Sequence, residues 1–287
     1  MVQPVLRAVV PAAGRGTRML PATKAVPKEL LPVVDKPIIQ YVIEELAAVG
    51  VEEIVVVIGE GKEALQAHFA PDPALVTLLQ TQGKDREAEA IEAIRRLGAR
   101  LRFIWQTGPY GNGTPVRCAR PYVEAGPFFV AWGDDFFTAT PSRAAQLLET
   151  YRELGAPVLA AVRTDRPADR DRYAFIQGPE VAPGVYRVEM LIEKPGERAP
   201  SNVGIVSGLL LTPDIFDHLE QIGPGRGGEI WLMDAVARLA AVRPVYARVI
   251  GNGRYHDCGN RLDYLRTNIE LALGDPVLGP ALRERLR

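Results

Sequence analysis

The residues best placed to do chemistry cluster near the N-terminus, in the run AVVPAAGRGTRMLPATKAVPKELLPVVDK from Ala8 to Lys36. Between Gly14 and Lys36 stand five basic residues, Arg15, Arg18, Lys24, Lys28 and Lys36, against two acids, Glu29 and Asp35, in a chain whose net charge is −1. Gly14 and Gly16 let the backbone approach a ligand closely and aim successive amide hydrogens at one anion. Amides and cations together suit a polyphosphate. The dinucleotide fingerprint Gly-x-Gly-x-x-Gly fails because Met19 stands at its third glycine, and the Walker sequence Gly-Lys-Ser/Thr is absent. A glycine turn that only joins a strand to a helix leaves both arginines unexplained, as well as Lys28, set between Pro27 and Pro32.

Further polar residues fall at the ends of apolar runs. Leu101 to Gln106 is followed by Gly108, Gly111, Asn112 and Gly113, so Gln106 can offer a flat amide to a base edge while the backbone passes beneath. The run Phe128 to Trp132 delivers Gly133-Asp134-Asp135. Neighbours on an extended strand face opposite sides, so one aspartate is expected to be functional and the other structural or solvated. A carboxylate at a strand end beside a phosphate loop is what Mg2+ requires, the hard cation taking its other oxygens from phosphate and water. A surface turn is the plain alternative for this pair. Glu193-Lys194 follows another apolar run, where an adjacent ion pair is ordinarily exposed and worth little. Asp257 lies in Asp-Cys-Gly, which suits a buried aspartate closing a tight turn.

These residues need a scaffold, and the apolar pattern supplies one. Val5 to Val10 reads as a buried strand stopped by Pro11, Lys36 to Gly50 as a helix ending at Gly50, and Glu53 to Gly59 as a second strand. Strand, helix and strand imply a parallel right-handed crossover, with ligands gathering at the strand C-terminal ends. Gly61 to Gly98 reads as largely helical, Pro141 to Leu154 and Pro213 to Leu219 as helices, and Val158 to Val162, Val203 to Leu211 and Val245 to Ile250 as strands. Asp165 to Asp171 reads as a solvated charged loop. Arg261 to Arg287 reads as a helical segment that packs on the core or mediates self-association. Hydrophobic residues make up 47% and charged residues 24% of the 287, ordinary for a globular protein, and the near-zero net charge argues against a nucleic-acid or anionic-membrane binder. Cys118 and Cys258, with His68, His218 and His256, show no zinc or redox spacing. No signal sequence is apparent, so a cytoplasmic location is expected.

The run Ala12-Ala13-Gly14-Arg15-Gly16-Thr17-Arg18-Met19-Leu20-Pro21, with Pro27-Lys28-Glu29-Leu30-Leu31-Pro32 behind it, resembles the signature of the sugar-1-phosphate nucleotidyltransferases, most closely their bacterial uridylyltransferase branch. The resemblance implies one α/β domain over 1–287 with a Rossmann-like three-layer fold and a mixed, mostly parallel sheet, a helical insertion at about 61–98 and a C-terminal helical segment at about 261–287. It implies UTP plus glucose 1-phosphate giving UDP-glucose and pyrophosphate, in a dimer or tetramer with no nucleic-acid or membrane partner. By the same resemblance Ala12, Ala13, Gly14, Gly16 and Thr17 bind the nucleotide, Gln106 and Gly111 meet the base, and Arg18 and Lys28 neutralise its phosphates. Asp134 and Asp257 hold Mg2+, with Asp135 as the fallback, while Ala174, Glu193 and Lys194 receive the sugar phosphate, Lys194 also as a catalytic charge. Gly227-Gly228-Glu229-Ile230-Trp231-Leu232-Met233-Asp234 is similar to the family's Gly-Asp-Glu-Ile-Gln-Leu-Thr-Asp, with Glu229 and Asp234 expected as helix caps. Two departures keep other nucleotides and other sugar or cyclitol phosphates open. Gly111 to Val116 is GNGTPV where the family has Gly-Leu-Gly-His-Ala-Val, and Ala174 stands for the glycine of Tyr-Gly-Val-Val. A non-catalytic nucleotide-sugar-binding regulator is the reading from another class.

Overall fold

A computed structural model describes residues 3–286. Its core is an eleven-stranded sheet whose main path runs, in spatial order, through Leu101–Trp105, Glu53–Ile58, Arg7–Ala12, Phe128–Val130, Val203–Leu211, Val158–Arg163, Tyr246–Val249, Val185–Arg187 and Glu180–Ala182. Seven of these nine strands share one direction, and Val203–Leu211 and Val185–Arg187 oppose them. The sheet is therefore mixed and mostly parallel. Ala174–Gln177 joins beside Val203–Leu211, and Met190–Glu193 pairs with it.

Alternating residues of each strand bury into opposite layers. Ala8, Val10, Ile54 and Val56 pack with Val42, Leu46 and Leu147 of the helices Ile38–Ala48 and Arg143–Leu154. Val9, Val55 and Val57 pack on the other face with Val116, Phe216 and Leu239 of the helices Gly113–Val123, Ile215–Gln221 and Leu232–Val242. Both faces are covered, as a parallel sheet with helical crossovers requires. The expected helical insertion resolves into three helices, Glu63–Phe69, Pro73–Thr81 and Asp85–Gly98. The C-terminal segment forms Arg261–Gly274 and Leu278–Arg285. No described helix is long and apolar enough to cross a membrane.

Several local expectations change. Pro11 does not stop its strand, which continues to Ala12 in register with Ile58. The Pro11 carbonyl accepts from the Gly133 amide at 3.2 Å, on the side where the Phe128–Val130 strand has already ended, so the missing amide hydrogen breaks no ladder. Asp165 to Asp171 is exposed at 165–168 and at 171, but it is not irregular throughout: Pro167–Asp171 is a 3-10 turn whose Asp169 is buried and accepts from Thr164 Oγ1 at 2.7 Å. Glu229 and Asp234 do not cap a helix through their side chains. The first amide of Leu232–Val242 donates instead to Asn112 Oδ1 at 2.8 Å, from a loop far away in the chain.

Candidate active site

The four parallel strands at one side of the sheet end on the same edge, and each empties into one of the polar segments. Arg7–Ala12 runs into the glycine loop, Glu53–Ile58 into Gly59 to Lys62, Leu101–Trp105 into Gln106, and Phe128–Val130 into Gly133 to Asp135. Parallel alignment forces this convergence. The more distant segments arrive by pairing. Glu193 lies opposite Ala174 across the Ala174–Gln177/Met190–Glu193 pair, and Asp257 lies opposite Asp135 across the ribbon of Asp135–Ala139 and Gly253–Asp257.

Arg18, Lys28, Asp134, Ala174, Glu193, Lys194 and Asp257 all line one cavity of about 460 Å³. Asp134 and Asp257 both approach Gly259: a Cβ placed there would lie 2.9 Å from Asp134 Oδ2, 3.1 Å from Asp257 Oδ1 and 3.1 Å from Arg18 Nη2, and Asp257 Oδ1 accepts from the Gly259 amide at 2.9 Å, closing the tight turn that the sequence allowed. Ala13, Gly14, Gln106 and Gly111 meet in an adjoining slot of about 160 Å³, together with Glu229 and Pro115. A third cavity, about 470 Å³, is lined by Arg15, Lys24, Lys62 and again Gln106. Lys28 walls all three. Ala12 is buried in the sheet, and neither it nor Gly16 nor Thr17 lines these cavities. Gly16 shapes the loop instead, with φ +66° and its carbonyl accepting from Thr23 Oγ1 at 2.8 Å.

The electrostatics of the cleft are tightly paired. Lys28 sits on a 3-10 turn, Lys28–Leu30, and its ammonium is ion-paired to Asp134. Burial alone would lower Lys28, but the charges of Asp134 and Glu29 outweigh it and hold its pKa above the ordinary value. Burial likewise works against an ionised Asp134, yet Lys28 keeps that carboxyl below the usual range. Behind this pair Lys62 donates to both oxygens of Glu29 at 2.7 Å, deep in the fold. Burial prevails there, raising Glu29 and lowering Lys62. Asp134 and Asp135 are both buried, so neither is solvated as the sequence allowed. They differ in partner: Asp135 lies 3.6 Å from the fully buried Arg143, which Glu45 anchors at 2.6 Å. Burial and the neighbouring Asp134 push Asp135 up to about 8.

In the 460 Å³ cavity burial raises Glu193 to about 7 despite Lys194. Arg172 binds both Asp257 and Asp263 Oδ2, the latter at 2.9 Å, and so ties the last strand of the ribbon to the helix that follows it. Sequence reasoning missed Lys62, Arg172 and Trp231. Lys62 follows the same rule that found Gln106, a polar side chain just beyond a parallel strand; Arg172 carries no such signal, and Trp231 stood only within the Gly227–Asp234 motif, with no role attached.

The fold and this cleft define an α/β protein that gathers phosphate-bearing substrates at the ends of parallel strands. Residues 7–272 match the nucleotidyl transferase family, and the chain belongs to it. It is 40% identical over 284 residues to UTP–glucose-1-phosphate uridylyltransferase 2 of Staphylococcus saprophyticus, spanning 99% of this chain and 97% of that protein. It is 38% identical over 280 residues to the UTP–glucose-1-phosphate uridylyltransferase of Staphylococcus epidermidis, spanning 97% and 96%. Among solved structures it resembles UDP-glucose pyrophosphorylase complexed with UDP-glucose, with TM-score 0.86 and 30% identity over 95% of this chain and all 100% of the other. It also resembles UTP-bound UGPase from Acinetobacter baumannii, with TM-score 0.86 and 28% identity over 99% of both chains.

Proposed function

We propose that this single-domain protein transfers the uridylyl group of UTP to glucose 1-phosphate, giving UDP-glucose and pyrophosphate. The observation that carries the reading is Lys28, whose side chain walls all three adjoining cavities. The slot at Gln106 and Gly111 receives the base, the cavity at Glu193 and Lys194 the sugar phosphate, and Lys28 faces the α-phosphorus between them. Ala174 meets the sugar through its backbone.

A phosphate oxygen of glucose 1-phosphate is already anionic near neutral pH, so no general base is needed. It attacks the α-phosphorus of UTP, one P–O bond forms, and the bond to the β-phosphate breaks in line with it. Attack from the sugar side sends the leaving pyrophosphate the opposite way, towards Arg15, Lys24 and Lys62. Arg18, Lys28 and Lys194 offset the charge that accumulates. Asp134 and Asp257 suit a divalent cation such as Mg2+, since carboxylate oxygens of both lie beside Gly259, and phosphate and water would complete its shell. When bound, the cation supplies charge neutralisation at the reacting phosphates.

Exposed Leu262, Leu265 and Ile269 on one face of the helix Arg261–Gly274 support assembly into a dimer or tetramer. The free cysteines Cys118 and Cys258 support a cytoplasmic setting. Pyrophosphate release is to be measured across UTP, dTTP, GTP and ATP, each with several hexose 1-phosphates, with and without Mg2+. UTP with glucose 1-phosphate is expected to rank first; another triphosphate ranking above UTP overturns the choice of base.

A further inference from the structure

Lys194 brings the charge that the sugar phosphate needs, but on a long stem with many rotamers, and a freely moving ammonium is a poor receptor for one phosphate. Two features restrain it. The backbone of Lys194 is held at φ +45°, an uncommon conformation for a residue with a side chain, and its amide donates to the Tyr173 carbonyl at 3.1 Å. The ammonium then lies 4.1 Å from the centroid of the Trp231 ring, while Glu193 Oε1 is 3.8 Å away, beyond hydrogen-bond distance.

Trp231 is itself on a fixed segment. Ile230 N donates to the Tyr110 carbonyl at 3.0 Å, Gly113 N donates to the Ile230 carbonyl at 2.9 Å, and Leu232 N donates to Asn112 Oδ1 at 2.8 Å. The indole therefore projects from a strip laced to the loop that edges the base slot, and both Trp231 and Lys194 line the cavity that holds Glu193. An aromatic face attracts an ammonium through its quadrupole without consuming an N–H donor, whereas a carboxylate at hydrogen-bond distance would neutralise it.

We propose that Trp231 is a positioning residue for Lys194: the indole holds the ammonium in the sugar-phosphate cavity with its N–H groups free for phosphate oxygens. This rests on the sugar-phosphate reading of that cavity. The test compares Trp231→Phe with Trp231→Leu in steady-state kinetics, alone and in a Lys194→Met background. Loss of the aromatic face in Trp231→Leu is expected to raise KM for glucose 1-phosphate about 5- to 30-fold with KM for UTP unchanged. Trp231→Phe, which keeps a π face, is expected to recover most of that loss. With Lys194→Met already present, Trp231→Leu is expected to add little. Equal effects of Phe and Leu, or additive effects of Trp231→Leu and Lys194→Met, assign Trp231 to packing alone and overturn the proposal. Absence of turnover in the unaltered protein with every triphosphate and sugar phosphate overturns the underlying reading instead.

Discussion

Lys28, which walls three adjoining cavities, is ion-paired to Asp134, and both side chains are largely shielded from solvent. The sequence alone predicts that Lys28→Ala lowers turnover and leaves the fold intact. The pairing adds a second consequence, because the substitution leaves Asp134 buried without its nearest cation. Turnover is expected to fall about 10²- to 10³-fold, as when a preorganised charge is taken from a developing anion. Urea denaturation is expected to show a stability loss of about 1–3 kcal/mol. Retention of full turnover would refute the role of Lys28.

Glu29 and Lys62 form the pair behind it, with Glu29 only 1% and Lys62 6% exposed. Lys62→Met strands a buried carboxylate and is expected to cost roughly 3 kcal/mol, whereas the double substitution Glu29→Leu/Lys62→Met, which removes both charges, is expected to cost less. Chemical denaturation of the three proteins decides this, and a double variant less stable than the Lys62→Met single shows that the pair is held by something other than mutual compensation.

Glu193 gives the cleft a pH dependence. Its carboxyl titrates at about 7, raised by burial, so it is ionised above that pH and protonated below it. Only the ionised form offers all its oxygens to sugar hydroxyls, so KM for glucose 1-phosphate is expected to rise as pH falls through about 7. KM for UTP should not follow it. Glu193→Gln has nothing to titrate and is expected to flatten the profile; an unchanged pH profile in that variant assigns the dependence to another group.

Gly111 sits at φ +140°, and a Cβ there would overlap the backbone of Ile230. Gly111→Ala is expected to push apart the loop and the 230–232 strip, raising KM for UTP about tenfold or more. The measurement should be paired with a melting curve, since a large stability loss with unchanged nucleotide KM would remove Gly111 from the base slot.

The legible part of this protein was local. Apolar runs such as Val203 to Leu211 and the helix Ile38–Ala48, with Gly50 at φ +92° just beyond its end, follow from hydrophobic periodicity and glycine chemistry, which act within a few residues, although Lys36 and Pro37, read as helical, form a short strand instead. The glycine loop and the polar residues just beyond parallel strands were legible for the same reason, because a parallel sheet must empty its strands on one edge. What the chain alone left open depended on distant partners. Two adjacent acids look equivalent in sequence, and only Lys28 on one side and Arg143 on the other distinguish Asp134 from Asp135. Asp169 looked solvated until Thr164 folded over it, and the helix at Leu232 took its cap from Asn112 rather than from its own acids. Arg172 and Trp231 gained meaning only beside Asp257 and Lys194. The sequence determined which groups were available and which strands would carry them; packing and charge pairing between distant segments decided which groups face one another, because those interactions depend on separation in space and not along the chain.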